Sequence, residues 1–163
     1  MDTSDKILVT GAAGFMGSWI CKTLVEKGYT EVYGIDDLSG GDIENINEYI
    51  KSGDLHFYLN DLSNISKTNE LIIDIKPDII FHLAANAREG ASFFQPLEIV
   101  KRNYLAYMNI LEPAIKEGLD KIVLFSSMAV YGYGMEGKEK GTYVTGPFYE
   151  FMERRPVDIY GIN

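Results

Sequence analysis

Cysteine is nearly absent: Cys21 stands alone in 163 residues. No internal disulfide can form, and a reduced, packed thiol in a cytoplasmic setting is expected. Histidine is almost as scarce, with two residues. No Cys/His cluster exists, so no metal site is expected. Basic residues are outnumbered, 15 against 24 acidic, for a net charge of -9. A nucleic-acid surface needs clustered Lys and Arg and is not expected here. No apolar run approaches the ~20 residues of a membrane span. The start, Met1-Asp2-Thr3-Ser4-Asp5, has neither the basic opening nor the apolar core of a secretory signal. No membrane partner is expected. Disorder is excluded as well, since 46% of residues are hydrophobic and 24% charged, the proportions of a folded chain. The length suits one domain with a real core.

Glycine is placed where it matters. The stretch Gly11-Ala12-Ala13-Gly14-Phe15-Met16-Gly17 follows the apolar run Ile7-Leu8-Val9-Thr10 and leads into a helix-like segment, Ser18 to Lys27. A strand, a glycine-rich turn and a helix start make a site for a pyrophosphate. The turn lets the backbone approach the ligand, and the helix start offers unpaired N–H groups and a positive dipole end. The spacing is G-x-x-G-x-x-G, not the commoner G-x-G-x-x-G. Three glycines in such a turn also suit tight packing alone. A second signal is Asp36, which ends the apolar run Glu31–Ile35 near the ~20-residue offset of a ribose-binding acid. No Lys or Arg lies between Tyr29 and Ile50 to meet a 2′-phosphate, which points to NAD over NADP. Asp37 reads as part of a solvated turn.

Further strands are expected at Leu55–Leu59, Ile79–Leu83 and Lys121–Ser126. The run at Ile79 is continuous enough to be buried on both faces. Between them, Asp42 is placed to cap a short helix, a second helix is expected from Ser66 to Ile75, and a long one from Pro96 to Lys116 with Pro113 kinking or loosening its last turn. Gly28 and Gly118 are placed as helix ends. The alternation predicts an α/β fold, a doubly wound parallel sheet of Rossmann type with right-handed crossovers. Ligands of such sheets bind at the carboxyl ends of the strands. Trp19 is expected to pack in the first helix, His82 to be structural and His56 to lie on the surface. Residues 132–156 read as irregular, with a helical turn around Phe148–Glu153 and a solvated charged loop at Glu136–Lys140.

Six motifs in order carry a resemblance over almost the whole chain: Gly11–Gly17, Asp36, Asp61-Leu62, His82-Leu83-Ala84-Ala85, Asn103, and Ser126-Ser127-Met128-Ala129-Val130-Tyr131-Gly132. In this the sequence resembles the extended short-chain dehydrogenases, and within them the NAD-dependent nucleotide-sugar epimerases and dehydratases, with the UDP-glucose 4-epimerases as the reference branch. The resemblance implies that Gly11, Gly14 and Gly17 hold the pyrophosphate, with Phe15 and Met16 offering N–H groups. It implies that Asp36 bonds the adenosine ribose, that Asp61 and Leu62 flank the adenine, and that Leu83, Ala84 and Ala85 line the cofactor's path. Asn103 stays open between a cofactor neighbour and an ordinary polar helix residue. Ser127 takes the catalytic serine position and Tyr160 the tyrosine position, with Ser126 the weaker candidate for chemistry.

The substrate so implied is a nucleotide-sugar, a UDP-sugar first among them, epimerised at C4 through a transient keto-sugar. A 4,6-dehydratase is the alternative, but its relatives carry an acid just after the serine or threonine, where this chain has Met128 and Ala129. A second alternative is an NAD-binding module without catalysis. The family's tyrosine belongs to Tyr-x-x-x-Lys, whose lysine would follow Asn163 directly, so the chain reads as a fragment with its sheet incomplete at the C-terminal end. A lone tyrosine is only about 0.1% ionised at neutral pH, and the chain alone is expected to be inactive. Arg88–Ser92 is expected to border the sugar pocket, and a homodimer is expected of the full-length protein.

Overall fold

The computed structural model describes residues 2–132, 135–136, 143–144 and 147–163. These form two compact units, Met1–Ala85 with Leu105–Phe125, and Asn86–Tyr104 with Ser126–Asn163.

The first unit is built on five strands: β1 Ile7–Thr10, β2 Val32–Asp36, β3 His56–Leu59, β4 Ile79–His82 and β5 Lys121–Leu124. All pair in parallel, in the order β3-β2-β1-β4-β5. This is the doubly wound sheet expected, with β1 at its centre and the order reversing between β1 and β4. β1 is buried along its whole length, as a strand covered on both faces must be. Its residues alternate between two cores, following the period of a strand. Ile7 and Val9 join Cys21 and Leu24 of α1 (Phe15–Glu26) and Ile46, beside α2 (Asn47–Ser52), on one face. Leu8 joins Ile72 and Ile75 of α3 (Ile65–Ile75) and Ala106, Ile110 and Ala114 of α5 (Ala106–Lys116) on the other. Burial pushes the Cys21 thiol up to about 12, so it stays protonated and packed.

Chain punctuation follows local chemistry. Asp42 caps a 3-10 turn at Ile43–Asn45 by accepting the Glu44 N–H at 3.0 Å. Asn64 does the same for α3 through the Lys67 N–H at 3.3 Å. Gly28, at φ 81°, and Gly118, at φ 96°, follow helix ends in the left-handed region.

The single helix expected over 96–116 is three pieces: α4 Pro96–Val100, a π-helical turn at Lys101–Leu105, and α5. The boundary between the two units falls inside that turn, after Tyr104. Pro113 does not end α5, which continues to Lys116 with Pro113 buried. Trp19 is not packed: it is 56% exposed, with the Lys22 ammonium 4.9 Å from its ring. The inward stripe of α1 runs through Gly17, Ser18, Cys21 and Leu24 instead.

In the second unit α4 is accompanied by a 3-10 turn at Glu89–Phe93, another at Met128–Tyr131, and a short helix α6, Ile159–Ile162. A two-stranded antiparallel pair, β6 Met135–Glu136 with β7 Tyr143–Val144, stands where irregular chain was expected. Residues 137–140 of the expected charged loop lie outside the described residues. Around Phe148–Glu153 there is one turn, closed by the Met152 N–H on the Tyr149 carbonyl at 3.0 Å, and no helix. Among the described residues, no helix is long and apolar enough to cross a membrane.

Truncation in the α3–α5 layer separates core from surface. Ile110→Ala, at a fully buried position, should cost about 2–5 kcal/mol in urea unfolding. Ile73→Ala, at a position 45% exposed, should change stability by no more than about 0.5 kcal/mol.

Candidate functional site

The turn from β1 into α1 is held by close backbone contacts. Gly11 has φ 70°, and a β-carbon there would stand 2.9 Å from the Ala84 nitrogen, so the end of β4 passes directly against the turn. At Gly17 a β-carbon would overlap the Gly11 carbonyl oxygen and stand 2.8 Å from its carbon. The glycines therefore have a packing role, one of the two readings open in the sequence. That packing also shapes a helix start with nothing to cap it. Gly14 makes no side-chain cap, and the first turn of α1 carries no acidic residue. Ser18 is the first helix residue with a bonded N–H, to the Gly14 carbonyl at 2.9 Å. The N–H groups of Phe15, Met16 and Gly17 have no acceptor among the described residues, the condition that suits a helix start to an anion. The Phe15 and Met16 side chains are 80% and 55% exposed.

Asp36 ends β2 and is buried, and both its carboxylate oxygens accept from main chain: Oδ2 from the Ala13 N–H at 3.0 Å and Oδ1 from the Leu38 N–H at 2.7 Å. The first bond ties the acid to the glycine turn. The second supports Leu38, whose φ of 60° is unusual for a side chain of that bulk. On its other side the Ala13 carbonyl accepts from the Asp42 N–H at 3.1 Å and the Asn45 amide at 2.9 Å. A carboxylate has about four acceptor positions, and these two bonds use two of them.

Asp61 is half-buried and turns the chain by accepting the Ser63 N–H at 2.8 Å. The Leu62 side chain lies in the α3–α5 core, and its carbonyl accepts from the Asn109 amide at 2.9 Å. Leu83 and Ala84 are half-buried and Ala85 is exposed. Their N–H pattern brings in Thr10, which none of the six motifs contains. The Thr10 hydroxyl oxygen lies 3.2 Å from both the Leu83 and the Ala84 nitrogens and 2.7 Å from His82 Nδ1. A polar residue ending an otherwise apolar strand was the available signal. His82 is buried beside Tyr107, ring centres 5.3 Å apart, in line with the structural reading. His56 is exposed and stacks on Tyr33 at 5.1 Å.

In the second unit, Asn103 lies in the π-helical turn, and both ends of its amide meet Asn86. Its oxygen accepts the Asn86 N–H at 2.7 Å, and its nitrogen donates to the Asn86 carbonyl at 3.4 Å. Ser127 accepts the Ala129 N–H at 3.2 Å and so caps the turn at Met128–Tyr131. That bond uses a lone pair and leaves the hydroxyl hydrogen free to donate. Tyr160 sits half-buried in α6, whose start is capped by the buried Asp158 through the Gly161 N–H at 2.7 Å. Gly161 backs onto the turn after Ser127, since a β-carbon there would stand 2.7 Å from the Ala129 carbonyl oxygen. The elements carrying Ser127 and Tyr160 are thus packed on each other. Ser126 is exposed, as are Arg88 and Gly90 of the stretch expected at a sugar pocket, whereas Ser92 is 1% exposed.

Two measurements follow from this geometry. Gly17→Ala should destabilise the fold by about 1–3 kcal/mol through backbone overlap, while Gly40→Ala, with nothing within 4 Å, should be near neutral; thermal unfolding of both reads the contrast. Burial holds His82 down to about 4 from its ordinary 6.5. Between those values the unfolded chain binds the extra proton, so stability falls as pH drops from 6.5 towards 4 and levels off below. The loss attributable to His82 is roughly 3 kcal/mol, read as the difference in urea stability between pH 7 and pH 4 that disappears in His82→Asn.

The family described as NAD dependent epimerase/dehydratase matches residues 7–162. The chain is 34% identical over 154 residues to a UDP-glucose 4-epimerase of Mycolicibacterium smegmatis, covering 94% of this chain and 45% of that protein. It is 30% identical over 121 residues to a CDP-glucose 4,6-dehydratase of Salmonella typhimurium, covering 73% of this chain and 33% of that one. Among solved structures, it superposes on the UDP-glucose 4-epimerase of Thermotoga maritima with UDP-glucose at a TM-score of 0.81 and 32% identity, over 96% of this chain and 46% of that one. The UDP-Glc/GlcNAc 4-epimerase of Campylobacter jejuni gives 0.85 and 26%, over 98% and 45%. The chain spans less than half the length of these relatives. With the match running from the first residue of β1 to the last of α6, the chain belongs to the NAD dependent epimerase/dehydratase family.

Proposed function

We propose that residues 1–163 are the NAD-binding domain of a nucleotide-sugar epimerase that acts at C4 of a UDP-sugar through a transient 4-keto intermediate. The observation that carries the reading is the open helix start: three N–H groups without acceptors among the described residues, beside an acid with acceptor positions its backbone bonds do not use, in a chain of this family. In this reading Gly11, Gly14 and Gly17 shape the turn, and the Phe15, Met16 and Gly17 N–H groups bind the pyrophosphate. Asp36 accepts from the adenosine ribose with the positions its backbone bonds leave free. No cation between Tyr29 and Ile50 offers itself to a 2′-phosphate, so NAD is selected over NADP. Asp61 and Leu62 flank the adenine, and Leu83, Ala84 and Ala85 line the cofactor's path beside the sheet. Asn103 serves by holding the Asn86 main chain.

Bound NAD would take up hydride from the sugar's C4 and return it to the other face. Tyr160 takes the proton of the 4-hydroxyl through its phenolic oxygen. Ser127 donates its free hydroxyl hydrogen to the same sugar oxygen and steadies the developing carbonyl. A dehydratase needs a further proton donor beside Ser127, and Met128 and Ala129 supply none. The reading extends to a cytoplasmic homodimer.

Mass spectrometry of nucleotide released from the denatured chain should find NAD; NADP would contradict the role of Asp36. A chimera carrying residues 1–163 in place of the matching part of the M. smegmatis relative should interconvert UDP-glucose and UDP-galactose. Ser127→Ala should lower its kcat by about 10²–10³-fold. A 4-keto-6-deoxy product would contradict the reaction assigned.

A further inference from the structure

Thr10 and His82 end adjacent strands as register partners in the β1–β4 ladder, and both are buried, at 0% and 4% exposure. A hydroxyl carries one hydrogen and two acceptor lone pairs. Around the Thr10 hydroxyl stand two main-chain N–H groups, those of Leu83 and Ala84, and one ring nitrogen, His82 Nδ1. The two amides can only donate, so they take the lone pairs. Leu83 shares its N–H with the Thr10 carbonyl, also at 3.2 Å, which does not alter its sense. The hydroxyl hydrogen therefore goes to Nδ1. Nδ1 is the acceptor, and His82 is the neutral tautomer with its proton on Nε2. Every bonding position of the hydroxyl is filled, each in one sense.

The amides so held belong to the strip of backbone that Gly11 approaches most closely, at Ala84. We propose that Thr10 and His82 are positioning residues of the nucleotide site: His82 orients the Thr10 hydroxyl, and that hydroxyl seats the Leu83 and Ala84 backbone beside the Gly11 turn. Neither side chain touches the ligand; both act through main chain. A residue that presents a donor at the Nδ1 position would set three donors against two lone pairs and release one amide. The consequence for binding rests on the NAD reading above, while the bonding scheme does not.

The test pairs variants that remove a bonding group with variants that keep it. Thr10→Val and His82→Phe remove the hydroxyl and the ring acceptor. Thr10→Ser keeps the hydroxyl, and His82→Asn can place its carbonyl oxygen where Nδ1 stood. In the wild-type chain, ¹⁵N NMR should show His82 protonated on Nε2 alone. Hydrogen exchange at Leu83 and Ala84 should quicken about tenfold or more in Thr10→Val and His82→Phe, with Leu8 and Ile80 unchanged, and NAD affinity should fall about tenfold. The two conservative variants should restore both. A proton on Nδ1 of the wild type overturns the proposal without any variant. So does Thr10→Val matching the wild type at Leu83 and Ala84, and so does an equal loss of protection across the whole sheet, which would mark a merely structural role. A wild-type chain that takes no NAD while showing the Nε2 tautomer and the local exchange effect would count against the NAD reading and for the pair.

Discussion

Contact of backbone with backbone at the end of β1 is the constraint on which the rest depends. The Gly17 α-carbon sits against the Gly11 carbonyl, and Gly11 sits against Ala84, with no room for a β-carbon at either. This closeness draws the start of α1 down onto the carboxyl ends of β1 and β4, where the order of the sheet reverses. An open parallel sheet offers a ligand that crevice. Side chains at Gly11 or Gly17 would push the helix start away from the strand end, and the unbonded N–H groups would no longer face a shaped turn. The close packing and the open helix start are here two consequences of one geometry.

Electrostatics at the turn are arranged by backbone more than by side chains. The chain is acidic overall, at -9, yet the open amides and the helix dipole at the start of α1 supply local positive potential without a lysine or arginine. Asp36 works in the opposite sense. Its carboxylate binds the Ala13 N–H on the turn and the Leu38 N–H on the following loop, so an acid suited to a ribose is also the brace of the turn beside it. Substitution there would remove both bonds and loosen the glycine turn.

Much of the first unit was legible in the sequence. Short apolar runs bounded by turn residues marked all five strands, and the place of Asp36 at the end of one of them was visible in the same way. What escaped lay where local pattern and tertiary context diverge. Trp19 reads as a packed residue of the first helix, but the helix buries the stripe Gly17, Ser18, Cys21 and Leu24, and position 19 lies outside it. The break at Lys101–Leu105 leaves no signature in a segment whose apolar spacing suits one helix; the Asn103–Asn86 bonding at that turn is a long-range contact that no local window contains. The β6–β7 pair has two residues per strand, too short for an alternation to register. Asp158 was passed over because its capping role shows only once α6 is seen to begin at Ile159.

The most direct measurement is an ¹⁵N–¹H titration of the chain with NAD, following the Phe15, Met16 and Gly17 amides. The account predicts that these three shift together and saturate at one affinity, with Ala13 and Leu38 moving as the Asp36 carboxylate adjusts. Saturation by NAD that leaves the Phe15, Met16 and Gly17 amides unmoved would contradict it, because the nucleotide would then be bound somewhere other than the helix start.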